Sequence, residues 1–137
     1  MKLARFLLLL LFVTTLHAQT VSQPVYDQVT SRAFLEQLLQ DGIYNFISTG
    51  VADSLLEHRV DIVWPHHGMG ARITGTVIVA FEISKDGQVM HPMAVSGPAL
   101  LRAPVVKAIA QWKFRPYKVN NQVVAVAVSY PLRVSNY

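Results

Sequence analysis

The chain has 137 residues with 12 basic and 8 acidic side chains, and it contains no cysteine. A chain of this length forms one domain with a modest core, and the lack of cysteine excludes a fold that depends on disulfides. The charge is uneven: residues 98–137 contain 6 basic residues and no acidic one, whereas residues 19–97 contain 4 basic and all 8 acidic residues. The C-terminal part is therefore suited to an acidic partner.

The N-terminus has the order of regions that is typical of an export signal. Lys2 and Arg5 precede an apolar run of 11 residues, 6–16, and small or polar residues follow up to Ala18. As a helix this run would be about 16 Å long, whereas the hydrocarbon core of a bilayer is ~30 Å thick. We therefore predict a signal peptide in residues 1–18, cleavage after Ala18 and a periplasmic product. A membrane anchor formed by an uncleaved signal is the minor alternative.

Residues 19–61 are predicted to be a short polar lead followed by helices. After Ser31, apolar residues recur at spacings of three and four: Leu35, Leu38, Leu39, Ile43, Phe46 and Ile47. This spacing predicts an amphipathic helix with Ser31 as its N-cap and Gly50 as its C-terminal stop. A second short helix is predicted in VADSLLEH, with Asp53 as its cap. Because the polar face is acidic, we expect these helices to pack on the following domain rather than on a membrane surface.

The segment TGTVIVAFEISKDGQVMHPMAV has the pattern of a β-hairpin. Apolar residues recur with a period of two from Val77 to Ile83, and Asp86-Gly87 supplies the turn. The returning strand, residues 88–95, contains Pro92, which lacks the N–H that a strand ladder needs. This strand is therefore predicted to lie at an edge of the sheet.

A helix follows, in which Pro104 is expected to occupy the first turn. Val105, Ala108, Ile109 and Trp112 form one apolar stripe after it, and Pro116 prevents the helix from continuing. In the stretch AIAQWKFRPY the aromatic residues alternate with cations. Trp112 continues the stripe, so the aromatic rings are predicted to lie in the core, and the cations in solvent, rather than to form a surface on which bases stack.

The last element is a strand of alternating apolar residues, up to Leu132, which follows a turn at Asn120-Asn121. The order of elements predicts an α+β fold: a small antiparallel three-stranded sheet (β-β-α-β) with one helix packed on it, preceded by the N-terminal helical region. The last strand is expected to pair with the first by a right-handed crossover. Its outer edge would then be open, with unpaired N–H and C=O groups.

These motifs resemble the C-terminal domain of the TonB family over residues 62–134, within a domain of residues 62–137. That family has a Gly-x-Val strand, an Asp-Gly-x-Val turn, a Ser-Gly pair, a helix that ends in Trp-x-Phe-x-Pro, and a valine-rich last strand. Here these motifs fall on Gly75, Asp86-Gly87, Ser96-Gly97, Trp112 to Pro116, and Val123 to Leu132. The family also has a transmembrane helix and a long Pro-rich spacer, whereas residues 19–61 contain one proline, Pro24.

The resemblance implies a function in binding rather than catalysis, with no cofactor. TonB-like domains add an extended N-terminal segment of an outer-membrane transporter to the edge of their sheet, which is β-augmentation. A transporter, or another envelope protein, is the partner implied here. The residues that we expect to form the binding edge and the segment before the first strand are Trp64, Pro65, Val124, Val126, Val128 and Tyr130.

Three other functions remain open at this stage. The same edge could pair two copies of the chain in a homodimer that forms a structural envelope protein. A metal site would have to use His58, His66, His67 or His91, but no known ligand spacing occurs among them. Nucleic-acid binding is disfavoured by export and by the modest charge. No hydrolase motif occurs, so we predict that the protein is not an enzyme.

Overall fold

A computed structural model describes residues 23–43, 45–65 and 72–135, with side chains from residue 31 onwards. The predicted signal peptide lies outside the described residues. In chain order the elements are α1 (Gln23–Gln40), α2 (Thr49–Leu55), β1 (Leu56–His58), β2 (Thr74–Ile83), β3 (Val89–Ser96), α3 (Ala99–Ile109), β4 (Lys113–Phe114), β5 (Tyr117–Val119), β6 (Gln122–Val124) and β7 (Val126–Ser135).

The central sheet has three antiparallel strands in the order β3-β2-β7. This confirms the predicted α+β fold, the hairpin with its turn at Asp86-Gly87, and the pairing of the last strand with the first. The strand that contains Pro92 lies at an edge, as predicted. Gly87 has a φ of +80°, and a Cβ there would lie 1.8 Å from the carbonyl oxygen of Phe114, so only glycine fits this turn.

Each face of the sheet is covered by a helix, because β2 and β7 present apolar residues on both sides. One face packs against α3 through alternating residues that include Val77, Val79 and Phe81. The other face packs against α1, with Ala80 and Ala127 next to Phe34 and Leu38. The expectation that the N-terminal region packs on the domain is therefore confirmed for α1.

The boundaries of the two N-terminal helices differ from the prediction. Ser31 lies in the middle of α1 rather than at its N-cap, and the helix ends at Gln40, before Gly42 with its φ of +67°. Glycine adopts this left-handed conformation without strain, and it is a common end for a helix. Gly50 lies inside α2, whose N-cap is Ser48 rather than Asp53; the Ser48 hydroxyl accepts a hydrogen bond from the N–H of Val51.

The prediction that Pro104 lies in the first turn of its helix is also wrong. Helix α3 begins at Ala99, after Pro98, and Pro104 lies in its interior. A proline inside a helix leaves the carbonyl four residues earlier without its usual donor. Here that residue is Leu100, whose side chain is exposed, so this end of the helix is next to solvent. The predicted apolar stripe from Val105 to Trp112 is confirmed, since all four of its residues are buried.

Trp112 is the largest fully buried side chain among the described residues, with 1% of its surface exposed. Its indole N–H donates to the carbonyl oxygen of Val60 at 3.1 Å, and the edge of its ring meets the ring of Tyr130 at 5.5 Å between centroids. The guanidinium of Arg59 lies 5.1 Å from the Trp112 ring centroid. Lys113 and Arg115 are exposed. The aromatic residues of AIAQWKFRPY are thus part of the core, as predicted.

We predict that Trp112→Ala lowers the free energy of unfolding by ~3–5 kcal/mol, which is the usual effect of truncating a buried aromatic residue. The loss combines the cavity with the unsatisfied carbonyl of Val60. Lys113→Ala is the matched control, and its effect on stability should be close to zero. Thermal or denaturant unfolding measures both; equal stability of Trp112→Ala and the unaltered protein would show that the ring is not part of the core.

Candidate functional site

The outer edge of β7 is the candidate functional site. In a strand the backbone groups of successive residues point to opposite edges, so alternate residues of β7 pair with β2 and the others point outward. The N–H and C=O of Ala127 bond to groups outside the central sheet, which fixes the register. Ala127, Ser129, Pro131 and Arg133 therefore point their backbone groups outward.

Part of this edge is occupied by the chain itself, through residues 45–49, which we call the cover segment. The N–H of Ala127 donates to the carbonyl oxygen of Asn45 at 2.9 Å, and the N–H of Ile47 donates to the carbonyl oxygen of Ala127 at 3.0 Å. Phe46 forms a parallel bridge with Ala127. The hydroxyl of Thr49 donates to the carbonyl oxygen of Ser129 at 3.3 Å. The expectation of a fully open edge is therefore wrong at Ala127 and Ser129.

The cover segment is held by few contacts. It forms two backbone hydrogen bonds and one side-chain hydrogen bond with β7. Phe46, which forms the bridge with Ala127, is 62% exposed, whereas Ile47 packs partly against the core. At a net value of ~1 kcal/mol for each hydrogen bond, these bonds contribute roughly 3 kcal/mol. A longer extended segment with more ladder bonds could therefore take its place.

The second half of the edge is uncovered within the described residues. No backbone hydrogen bond from residues 23–43, 45–65 or 72–135 reaches the outward side of β7 beyond Ser129. Pro131 has no N–H to offer there, which is the usual position of a proline in an edge strand. Arg133 is exposed and supplies a positive charge at this end. An added strand would find acceptors along the whole edge but donors only on either side of Pro131.

The predicted site residues do not form one exposed surface. The side chains of Val126, Val128 and Tyr130 lie in the core that packs against α3, and their backbone groups pair with β2. Val124 belongs to β6, pairs with Tyr117 and is half-buried. The side chains at Val126, Val128 and Tyr130 therefore form the face of β7 that is turned towards α3. The outward contacts come instead from the residues between them.

Trp64 and Pro65 lie before the first strand of the sheet. Trp64 is half-buried and packs against the main core, whereas Pro65 is exposed. The chain that follows them, residues 66–71, is outside the described residues. A contact of these two residues with a partner stays a prediction.

Tyr130 connects the binding edge to the cover segment through α2. Its hydroxyl donates to Oδ1 of Asp53 at 2.5 Å, and Asp53 lies on the helix that directly follows the cover segment. Burial, together with this hydrogen bond, raises the pKa of Tyr130 to about 12. The hydroxyl therefore stays protonated at neutral pH and holds α2 against β7.

The sequence pattern does not reveal the cover segment or the outward register. A period-two pattern shows which side chains share a face, but it leaves open which set of alternate residues points its backbone groups outward. Ile43, Phe46 and Ile47 continue the spacing of α1, and this spacing predicts a helix where the structure has the cover segment.

The described residues contain no helix that is both long and apolar enough to cross a membrane. Comparison with curated proteins finds no match for this chain. A family model, described as the Gram-negative bacterial TonB protein C-terminal, matches residues 61–134. The matched range contains the three-stranded sheet, α3 and the whole outer edge of β7. Since the match spans more than half of the chain, the protein belongs to the TonB C-terminal domain family.

Proposed function

We propose that this protein is an exported TonB-like interaction module that binds an extended segment of an outer-membrane transporter, or of another envelope protein, by strand addition to β7. Domains of the family interact with outer-membrane transporters and are interaction domains rather than enzymes. The observation that carries the proposal is the cover segment: the edge already pairs, through one parallel bridge, with another segment of the protein's own chain.

The partner is proposed to replace the cover segment and to continue along the uncovered half of the edge. Because the cover segment runs parallel to β7 at Phe46, we expect the added strand to run parallel as well. About five ladder bonds would contribute roughly 5 kcal/mol, and displacing the cover segment costs roughly 3 kcal/mol of this. Ordering the added strand costs more. Because a millimolar contact requires ~4 kcal/mol, the backbone hydrogen bonds alone leave the contact weaker than millimolar, and side-chain contacts have to supply the rest of the affinity.

Charge and shape support an acidic partner with at least one apolar side chain. The C-terminal part of the chain has six basic residues and no acidic one, and Arg133 lies at the uncovered end of the edge. A cleft of about 200 Å³ lies between α1 and the edge and is lined by Leu35, Val128 and Ser129, among others. In β-augmentation, backbone bonds supply affinity and pockets for alternate side chains supply specificity.

We expect the protein to be exported and cleaved after Ala18, because the apolar run of the leader is too short to cross a bilayer. N-terminal sequencing of the protein from the periplasm should give a chain that begins at Gln19. A chain that begins at Met1 and fractionates with the inner membrane would contradict this proposal and support the uncleaved anchor.

We predict that Ser129→Pro weakens peptide binding about tenfold or more and leaves the fold intact. The substitution removes an outward N–H, and Pro131 shows that β7 tolerates proline in this register. The matched control is Val128→Pro, which removes an inward N–H that pairs with β2 and should unfold the sheet. The measurement is titration with an acidic peptide that copies the N-terminal segment of an outer-membrane transporter, alongside a thermal melt. Unchanged affinity in folded Ser129→Pro would refute binding at this edge.

Two further variants should strengthen peptide binding rather than weaken it. Ile47→Pro removes the N–H that donates to Ala127 and so loosens the cover segment, which should strengthen peptide binding. Pro131→Ala supplies the missing outward donor and should also strengthen peptide binding.

Sedimentation of the unaltered protein and of Ser129→Pro tests the alternative function. If the unaltered protein is a dimer that binds no peptide, and Ser129→Pro dissociates this dimer, the result would favour self-association.

A further inference from the structure

A small polar cluster lies on the face of the sheet that α1 covers. Asp41 directly follows α1, Glu82 lies on β2 and His91 lies on β3, and their ligand atoms are all within 4.8 Å of one another. Nδ1 of His91 is 3.4 Å from Oδ2 of Asp41 and 3.4 Å from Oε1 of Glu82. Three separate elements thus converge on one point.

Glu82 is the residue that requires an explanation. Its side chain is only 4% exposed, and its Oε1 atom has no hydrogen-bond partner among the described residues. Burial raises the pKa of this carboxyl, and the nearby negative charge of Asp41 raises it further. A buried carboxylate oxygen without a partner is costly, so buried charges are usually paired or bound to a metal. Its 3.4 Å contact with Nδ1 of His91 does not form a hydrogen bond, and the oxygen faces the cluster.

His91 reaches the cluster because of a β-bulge. Ala80 pairs with Met93 and Glu82 pairs with Met90, so Phe81 alone is opposite two residues, His91 and Pro92. In a regular strand, His91 would point to the opposite face from Met90 and Glu82. The extra residue and the φ of +47° at His91 turn its side chain towards Glu82 instead.

We propose that Asp41, Glu82 and His91 form a binding site for a divalent metal ion of the zinc type, with water as a further ligand. Two ligand atoms that are each ~2.1 Å from a tetrahedral ion lie ~3.4 Å apart, which matches both distances from His91 Nδ1. One imidazole and two carboxylates are donors that zinc accepts. The side chains of His91 and Asp41 are 43% and 31% exposed, which leaves a path for the ion and for water.

The site differs from the histidine sets that the sequence offered. His58 lies on β1 and is exposed, and His66 and His67 are outside the described residues. Of the histidines among the described residues, His91 alone belongs to the cluster, and its co-ligands are carboxylates from distant parts of the chain. The ion would connect the end of α1 to β2 and β3, so its binding should stabilise the docking of α1 on the sheet.

The experiment compares the melting temperature of the full chain in excess ZnCl₂ and in a chelator. At about 100-fold excess over the dissociation constant, we expect zinc to raise the melting temperature by on the order of 10 °C. Titration calorimetry should give one ion per chain. Glu82→Gln, Asp41→Asn and His91→Asn should each abolish most of the zinc-induced rise, measured against the same variant in chelator. Asparagine is chosen at position 91 because it tolerates a positive φ.

The double variant His66→Ala/His67→Ala and the single variant His58→Ala are the controls, and both should keep the full rise. Because each variant is compared with its own sample in chelator, a change in its intrinsic stability does not affect the result. Protection of α1 amides from hydrogen exchange should increase with zinc in the unaltered protein. Three results would overturn the proposal. Zinc could raise the melting temperature of Glu82→Gln as much as that of the unaltered protein, it could fail to raise that of the His66/His67 control, or it could have no effect on the unaltered protein. In the last case, the contacts of His91 Nδ1 with the two carboxyl groups would account for the cluster without an ion.

Discussion

A sheet of three strands has two edges, and both must be kept from pairing with other chains. This constraint governs the structure around the sheet. At the β3 edge, Pro92 lacks a donor, and the bulge at His91 disrupts the regular ladder. At the β7 edge, the cover segment occupies Ala127 and Ser129, and Pro131 interrupts the row of donors further along. One edge is therefore blocked by its own residues, whereas the other is partly covered by a separate segment of the chain.

The cover segment depends on the chain that follows it. Beyond α2, β1 pairs with β4 at Leu56 and Phe114, and the carbonyl of Val60 receives the indole N–H of Trp112. The backbone N–H of Arg115 donates to the carbonyl of Leu55. Residues 45–60 thus follow the core from the β7 edge to the end of α3. The core aromatic residues hold residues 55–60 in place, and these residues in turn position the cover segment on the β7 edge.

The two proposed sites lie at opposite ends of one short connection. Asp41 belongs to the proposed metal site, and Asn45 begins the cover segment only four residues later. Between them, Gly42 ends α1 and Ile43 is buried against Ala80 and Ala127. Glu82 of the metal site pairs directly with Ala127 of the covered edge. An ion at the proposed metal site and a strand added to β7 would therefore contact neighbouring parts of the chain.

Local pattern in the sequence determined the hairpin, the buried stripe of α3, the turn at Asn120-Asn121 and the edge position of Pro92. These features depend on periodicity and on the backbone preferences of proline, asparagine and glycine, which act over a few residues. The same patterns carried the family resemblance that the comparison confirmed.

Tertiary structure decided the features on which the proposed functions depend. The apolar spacing of α1 continues through Ile47, so the sequence could not show that the chain leaves the helix at Gly42 and becomes extended. The partner of that extended segment lies 80 residues away, from Thr49 to Ser129, and pairing at this distance leaves no local pattern. The convergence of Asp41, Glu82 and His91 likewise requires a bulge and three separate elements, the end of α1, β2 and β3. Periodicity identifies the face on which a side chain lies, whereas only the packing of the whole chain determines which other residues contact that side chain.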